Sequence, residues 1–151
     1  SAMVLVGALL FTAFLLWLFD RLAKQASTIE RASFKDAGVI GLMQVLALIP
    51  GVSRSGVTIA AGRWRGLSRK QATTFSFLLS APIIAGAGLA SVPALVAGNG
   101  FTSEQLLLGF VLSFASGYLA IAGLLKMVER ISFTPFVVYL VALAGVVFLY
   151  A

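Results

Sequence analysis

The sequence predicts an all-α integral membrane protein: four transmembrane helices and one re-entrant helix hairpin with a Pro-Gly-x-Ser-Arg-Ser stretch at its tip. Three observations lead there. Of 151 residues, 60% are hydrophobic and 11% are charged, whereas a soluble domain carries roughly 25% charged residues. The charges fall in short clusters between long uncharged runs. One apolar stretch, residues 37–62, is broken in its middle by Pro50, Gly51 and Gly56 and holds a single cation, Arg54.

The elements follow in chain order as one membrane domain over residues 4–151. Ser1, Ala2 and Met3 read as a cloning remnant before an internal start, and the chain reads as a piece of a longer protein. Residues 4–19 are uncharged and rich in Leu and Phe. With their flanks they predict a first span over 4–23, near the ~20 residues a bilayer needs, with Trp17 as an interfacial anchor. Asp20, Arg21, Lys24, Glu30, Arg31, Lys35 and Asp36 form a charged loop, and Ser33 is placed to cap the next helix. Residues 36–66 predict the hairpin. Its entering arm, 37–49, reaches only about 20 Å, and its returning arm starts near Ser55, so neither crosses a ~30 Å core. A second span is predicted over 70–91, with Pro82 kinking it or ending it early. Residues 91–103, holding Pro93 and Gly98-Asn99-Gly100, read as a loop. A third span over 103–127 starts with a Thr102/Ser103 cap and Glu104 in its first turn, where a carboxylate suits the helix dipole. Its Gly109, Ser113, Ser116, Gly117, Ala120 and Gly123 favour close packing. The last span covers 132–150, with Pro135 in its first turn.

Charge sets the orientation. Lys and Arg total 11 against 5 Asp and Glu, a net charge of +6. All the basic residues but Arg54 sit in loops 20–36, 63–70 and 126–130, so they read as inner-side loop charge rather than a nucleic-acid surface. Only a re-entrant 36–66 puts all three basic loops on one side and the neutral 91–103 loop on the other. The same rule makes the basic side cytoplasmic.

The tip has the parts of an anion site. No charge lies within seventeen residues before Arg54 or eight after it, and an arginine at membrane depth costs at least about 2.5 kcal/mol. Its planar fork matches phosphate oxygens. Ser53, Ser55 and Thr58 add hydroxyls. Gly51 and Gly56 break the helix on either side and let backbone approach a ligand, and a helix starting near Ser55 points N–H groups at the same place. Blander roles stand beside these. Ser55 can be a plain cap, Thr58 can bond back to its own helix, and the glycines can serve only the turn. Arg63, Arg65, Arg69 and Lys70 read as headgroup-side charges. Gln44, in the entering arm, either faces the site or bonds across helices. The chain has no Cys and no His, and no carboxylate lies inside an apolar segment. Disulfides and thiol chemistry are excluded, and neither a metal-ligand cluster nor a general base is legible. By chemistry this is half a hydrolytic site.

Residues Pro50-Gly51-Val52-Ser53-Arg54-Ser55-Gly56-Val57-Thr58 resemble the Pro-Gly-x-Ser-Arg-Ser-x-x-Thr motif of the undecaprenyl-pyrophosphate phosphatases, the bacitracin-resistance family. The similarity continues through Gly66-Leu67-Ser68-Arg69, Phe75-Ser76-Phe77-Leu78-Leu79-Ser80-Ala81-Pro82 and Gly117-Tyr118-Leu119-Ala120-Ile121. The resemblance implies a multi-pass enzyme of the bacterial inner membrane that hydrolyses a C55 lipid pyrophosphate to the monophosphate on the outer face. It implies a role in recycling the carrier for peptidoglycan and dependence on a divalent cation, Mg²⁺ or Ca²⁺. It also implies two inverted repeats, each with a re-entrant pair. Arg54 then binds the pyrophosphate, helped by Ser53, Ser55 and Thr58. The family's Glu-x-x-x-Glu and Ser-Ser-Ser-Gly-His segments are absent here, with Gln44 and Leu48 standing where the glutamates fall. The chain therefore resembles the second repeat alone, with the glutamate-bearing N-terminal half as its expected partner. Two alternatives remain. One is a transporter or lipid flippase on the same inverted-repeat plan. The other is a non-catalytic half that pairs with a partner or forms a homodimer.

Overall fold

The computed structural model describes residues 2–23, 33–96 and 102–150, and its regular elements are all helices. The expected loop positions 24–32 and 97–101 lie outside these residues. Helix α1 spans Ala2–Leu22, about 31 Å at 1.5 Å per residue. Helix α2 spans Phe34–Met43 and tightens into a 3₁₀ turn over Gln44–Leu48. Helix α3 spans Arg54–Trp64, α4 Arg69–Val96, α5 Ser103–Arg130 and α6 Thr134–Leu149.

The helix starts follow local chemistry. Ser33 caps α2 in a reciprocal box with Asp36, and Thr102 caps α5 in the same way with Gln105, each satisfying N–H groups that have no partner inside the helix. Ser68 accepts from the N–H of Gln71 at the start of α4. At the end of α3, Gly66 adopts a φ of 87°. The N–H groups of Gly66 and Leu67 reach back to the carbonyls of Arg63 and Gly62, closing the helix in a Schellman turn.

One expectation is corrected. Pro82 does not end α4, and the loop expected from residue 91 is helical to Val96, with both Pro82 and Pro93 inside the helix. Each proline forfeits one backbone bond. Leaving the helix in apolar surroundings strands several, so continuation is the cheaper outcome.

Helices α1, α4 and α5 are long and apolar enough to cross a membrane; α6 is a shorter apolar helix of 16 residues. The α2–α3 unit is an antiparallel hairpin, its base closed by Arg65 Nε to Asp36 Oδ1 at 2.6 Å. The hairpin packs on α1 through α3, and α3 also packs on α4, while α6 lies along α1. Two apolar clusters hold this bundle. One gathers Leu16, Ile40, Ile59, Leu67, Val128 and Phe133, and the other Ala8, Leu15, Val52, Val57 and Ala60. Beyond the bundle the surface is apolar and open: residues 81–95 of α4 are exposed throughout, and so are nearly all of 102–123.

The basic segments gather at one end. Asp20 at the end of α1 accepts from Arg63 Nε at 3.0 Å and Arg69 Nε at 2.9 Å, and its other oxygen accepts from Arg69 Nη2 at 3.1 Å and the Phe133 N–H at 3.4 Å. The Arg63 and Asp20 side chains are only 8% and 9% exposed, and Arg63 also donates to the Leu67 carbonyl at 2.7 Å. One carboxylate thus ties α1, α3, α4 and the α5–α6 turn together. This corrects the reading of Arg63 as a headgroup charge: it is buried and neutralised, and breaking such a pair costs about 3–5 kcal/mol.

Candidate anion-binding site

Helix α3 begins halfway along α1. The Ser53 N–H donates to Thr12 Oγ1 at 3.3 Å, and Thr12 donates onward to the Ala8 carbonyl at 2.9 Å. Thr12 is ten residues from the end of α1 at Leu22, which puts the start of α3 about 15 Å from the basic end.

The turn into α3 depends on two glycines used differently. Gly51 has a φ of 93°, and a Cβ there meets Leu5 Cδ1 at 2.6 Å, so it supplies both the left-handed conformation and the contact with α1. Gly56 does not break the helix as expected; it lies in the first turn of α3. Its need is close approach, since a Cβ there sits 2.4 Å from Thr12 Cγ2. The cap is likewise shifted: Ser53, not Ser55, caps α3, its Oγ accepting from the Gly56 N–H at 3.2 Å. Two residues on, Ser55 lies within hydrogen-bond distance of it, Oγ to Oγ 3.3 Å.

Ser53 and Ser55 line a cavity of about 210 Å³ whose other walls include Leu16, Ile59, Leu124, Phe133, Phe136 and Tyr139. With Thr73 of α4 and Tyr139 of α6 they put four hydroxyl-bearing side chains on a mostly apolar chamber between α1, α3, α4 and the α5–α6 region. Arg54 does not line that cavity. It is half-buried, and its guanidinium makes no hydrogen bond or ion pair among the described residues. Thr58 is placed apart from the serines' cavity: its hydroxyl is buried, meeting the Arg54 carbonyl at 2.9 Å, the Ser55 carbonyl at 3.3 Å and Ser76 Oγ at 2.7 Å. It bonds back to its own helix and locks α3 to α4. Gln44 lies in the 3₁₀ turn, where its Oε1 is buried without a partner among the described residues.

Three contributors were missed in the sequence. Thr12 is the one hydroxyl in residues 4–19, and that isolation was its signal. Ser76 is an inconspicuous polar residue of α4. Asp20 looked like one loop charge among seven. Among the described residues, no group of three or more His, Cys, Asp or Glu is placed to hold a metal ion, and Asp20 is engaged by two arginines. These residues do not fit the divalent cation that the resemblance implies.

Residues 1–146 match the family described as Bacitracin resistance protein BacA. The chain is 46% identical over 147 residues to an undecaprenyl-diphosphatase of Alteromonas mediterranea, covering 97% of this chain and 55% of the relative. Against an undecaprenyl-diphosphatase of Geobacter metallireducens the identity is 47% over 146 residues, covering 95% and 54%. Against one of Corynebacterium glutamicum it is 45% over 125 residues, covering 81% and 43%. The chain spans about half the length of the curated relatives it matches. With its motif carried on an all-helical, membrane-compatible bundle, it belongs to the bacitracin resistance protein BacA family.

Proposed function

We propose that this chain is the phosphate-binding half of an undecaprenyl-diphosphatase, which hydrolyses undecaprenyl pyrophosphate to the monophosphate and inorganic phosphate. The observation that carries the reading is Arg54, a half-buried guanidinium with no partner among the described residues, at the start of α3 beside the Ser53–Ser55 hydroxyl pair. A permanent cation left unpaired at the start of a short helix, level with the middle of α1, is costly unless an anion is its partner.

Hydrolysis breaks the bond between the bridging oxygen and the terminal phosphorus, and water supplies the new P–O bond. Negative charge builds on the phosphoryl oxygens and on the departing lipid phosphate. Arg54 offers a two-toothed donor to those oxygens, and the partial positive end of α3 adds to it. Ser53 and Ser55 share one hydrogen bond and keep a second hydroxyl proton for a phosphate oxygen. Thr58 acts through position, holding α3 against α4 so that the first turn keeps its place. The apolar cavity below the serines takes the start of the lipid chain. The water-activating group, the carboxylates and the divalent cation belong to the rest of the longer protein.

In this reading α1, α4, α5 and α6 span the bacterial inner membrane and α2–α3 re-enters it. The basic end faces the cytoplasm, and the site opens outward.

Calorimetry with farnesyl pyrophosphate, a short soluble analogue, tests the anion site directly. The chain in neutral detergent should bind it. Arg54→Ala should weaken binding by about ten- to a hundred-fold, the range for a lost charge-assisted hydrogen bond. Equal binding by both proteins would remove Arg54 from the site.

A further inference from the structure

A second cavity lies at the basic end, away from the motif. It measures about 370 Å³ and is walled by Arg63, Ser68, Arg69 and Lys70 on one side and by Val128 and Glu129 on the other. It therefore sits between the first turn of α4 and the last turns of α5. Arg63 and Arg54 are nine residues apart on α3, about 13 Å, so this is not the motif's chamber.

We infer that this cavity binds the phosphodiester headgroup of an anionic phospholipid, a ligand distinct from the pyrophosphate lipid and independent of the function proposed above. The charge count favours an anion. Arg63, Arg69 and Lys70 contribute three positive charges, and Asp20 and Glu129 two negative, leaving one cation in excess. Arg63 has little left to give, because Asp20 and the Leu67 carbonyl take its donors. Arg69 is different: it commits Nε and Nη2 to Asp20, its Nη1 makes no hydrogen bond among the described residues, and its side chain is 35% exposed. Lys70 pairs with Glu129, but both are nearly half exposed, and such pairs contribute little to stability. Lys70 can therefore turn to a phosphate at small cost. Glu129 is the unfavourable group in the cavity, since its carboxylate repels an anion.

Depth and surroundings name the source of the phosphate. Trp17 and Trp64 are exposed at this end of the bundle, and Arg21 lies over the Trp17 ring at 5.8 Å. Aromatic and basic residues together mark headgroup level. Away from the cavity, α4 and α5 present apolar, exposed side chains, a surface suited to acyl chains. Basic pockets between spanning helices at this level bind acidic headgroups.

Native mass spectrometry of the 151-residue chain in neutral detergent tests this, with phosphatidylglycerol and phosphatidylcholine of matched acyl chains supplied equally. The expected result is retention of phosphatidylglycerol over phosphatidylcholine by about five-fold, the effect of one effective cation near a membrane surface. Lys70→Gln should bring the two lipids close to parity, and Glu129→Gln should widen the preference. The opposite signs separate a site effect from a folding defect. Equal retention by the unsubstituted chain, or a preference that neither substitution moves, would overturn the inference. So would full displacement of phosphatidylglycerol by an equal concentration of inorganic phosphate, which would leave an anion site with no lipid selectivity.

Discussion

Arg54 is where cost and purpose meet. Its two neighbouring serines, the cap at Ser53 and the positive φ at Gly51 all serve to present the first turn of α3. In the complete enzyme, Arg54→Ala should lower phosphate release by about a hundred-fold or more, as expected for removal of a principal charge stabiliser, while thermal unfolding stays unchanged. Turnover near the native level would contradict its role. Gly56 gives a steric test. Gly56→Ala should destabilise the chain by about 1–3 kcal/mol, because the new methyl meets Thr12 Cγ2 and overpacking costs that much. Thr12→Ser removes that Cγ2 while keeping the hydroxyl that accepts from Ser53, so adding it to Gly56→Ala should recover part of the loss in a thermal melt. No recovery would mean that the clash with Ser53, 3.1 Å away at Cβ, dominates. At this scale the motif was legible because a cation and hydroxyls interrupt apolar sequence. Thr12 was not legible, since its meaning is a contact across 41 residues. The serine that caps α3 was misplaced by two residues, because Ser53 and Ser55 carry the same side chain and only backbone conformation tells them apart.

Asp20 clamps α1, α3 and α4 together at the basic end. Asp20→Asn should leave Arg63 buried without its counter-charge and destabilise the chain by about 3–5 kcal/mol. Replacing Asp20 and Arg63 together by Leu and Met should cost much less. A small loss from Asp20→Asn alone would show that the clamp does not hold these helices. Asp36 makes a milder pin at the base of the hairpin. The Ser33 N–H, then Arg65, then the Ser33 hydroxyl hold its carboxyl below the usual range. A lowered folded value means that its stabilisation is present above the ordinary carboxylate value of about 3.9 and fades as pH falls through the folded value. Hydrogen exchange in the first turn of α2 should therefore quicken only below about pH 4. Asp36→Asn should remove that dependence. The helix starts at Ser33 and Thr102 could be read locally, because a capping box spans only four residues. The course of α4 could not, because whether a proline ends a helix depends on what the freed carbonyls would meet elsewhere.

The whole molecule is a bundle with a finished side and an open one. The motif end of α3 is packed between α1 and α4, whereas α5 and the far half of α4 face outward with apolar side chains. That surface suits lipid, and the curated relatives that the chain matches run to about twice its length. The composition announced long apolar helices able to cross a membrane; the absence of a legible base is what leads to the reading of half a hydrolytic site. The sequence did not reveal that Gln44 leaves a buried side-chain carbonyl unpaired among the described residues. Because it stands where the resemblance places a glutamate, Gln44→Ala in the complete enzyme should cost less than tenfold in turnover, a modest effect for a group outside the reacting atoms.

In the proposed function, binding and bond-breaking are divided between two halves. Phosphate release from undecaprenyl pyrophosphate, with Mg²⁺ present, tests it most directly. It should be measured for this chain alone, then after reconstitution with the missing half, and again with Arg54→Ala. The account predicts no release alone, release on reconstitution, and loss of that release with Arg54→Ala. Turnover by this chain alone would contradict it, and would place the water-activating group within these 151 residues.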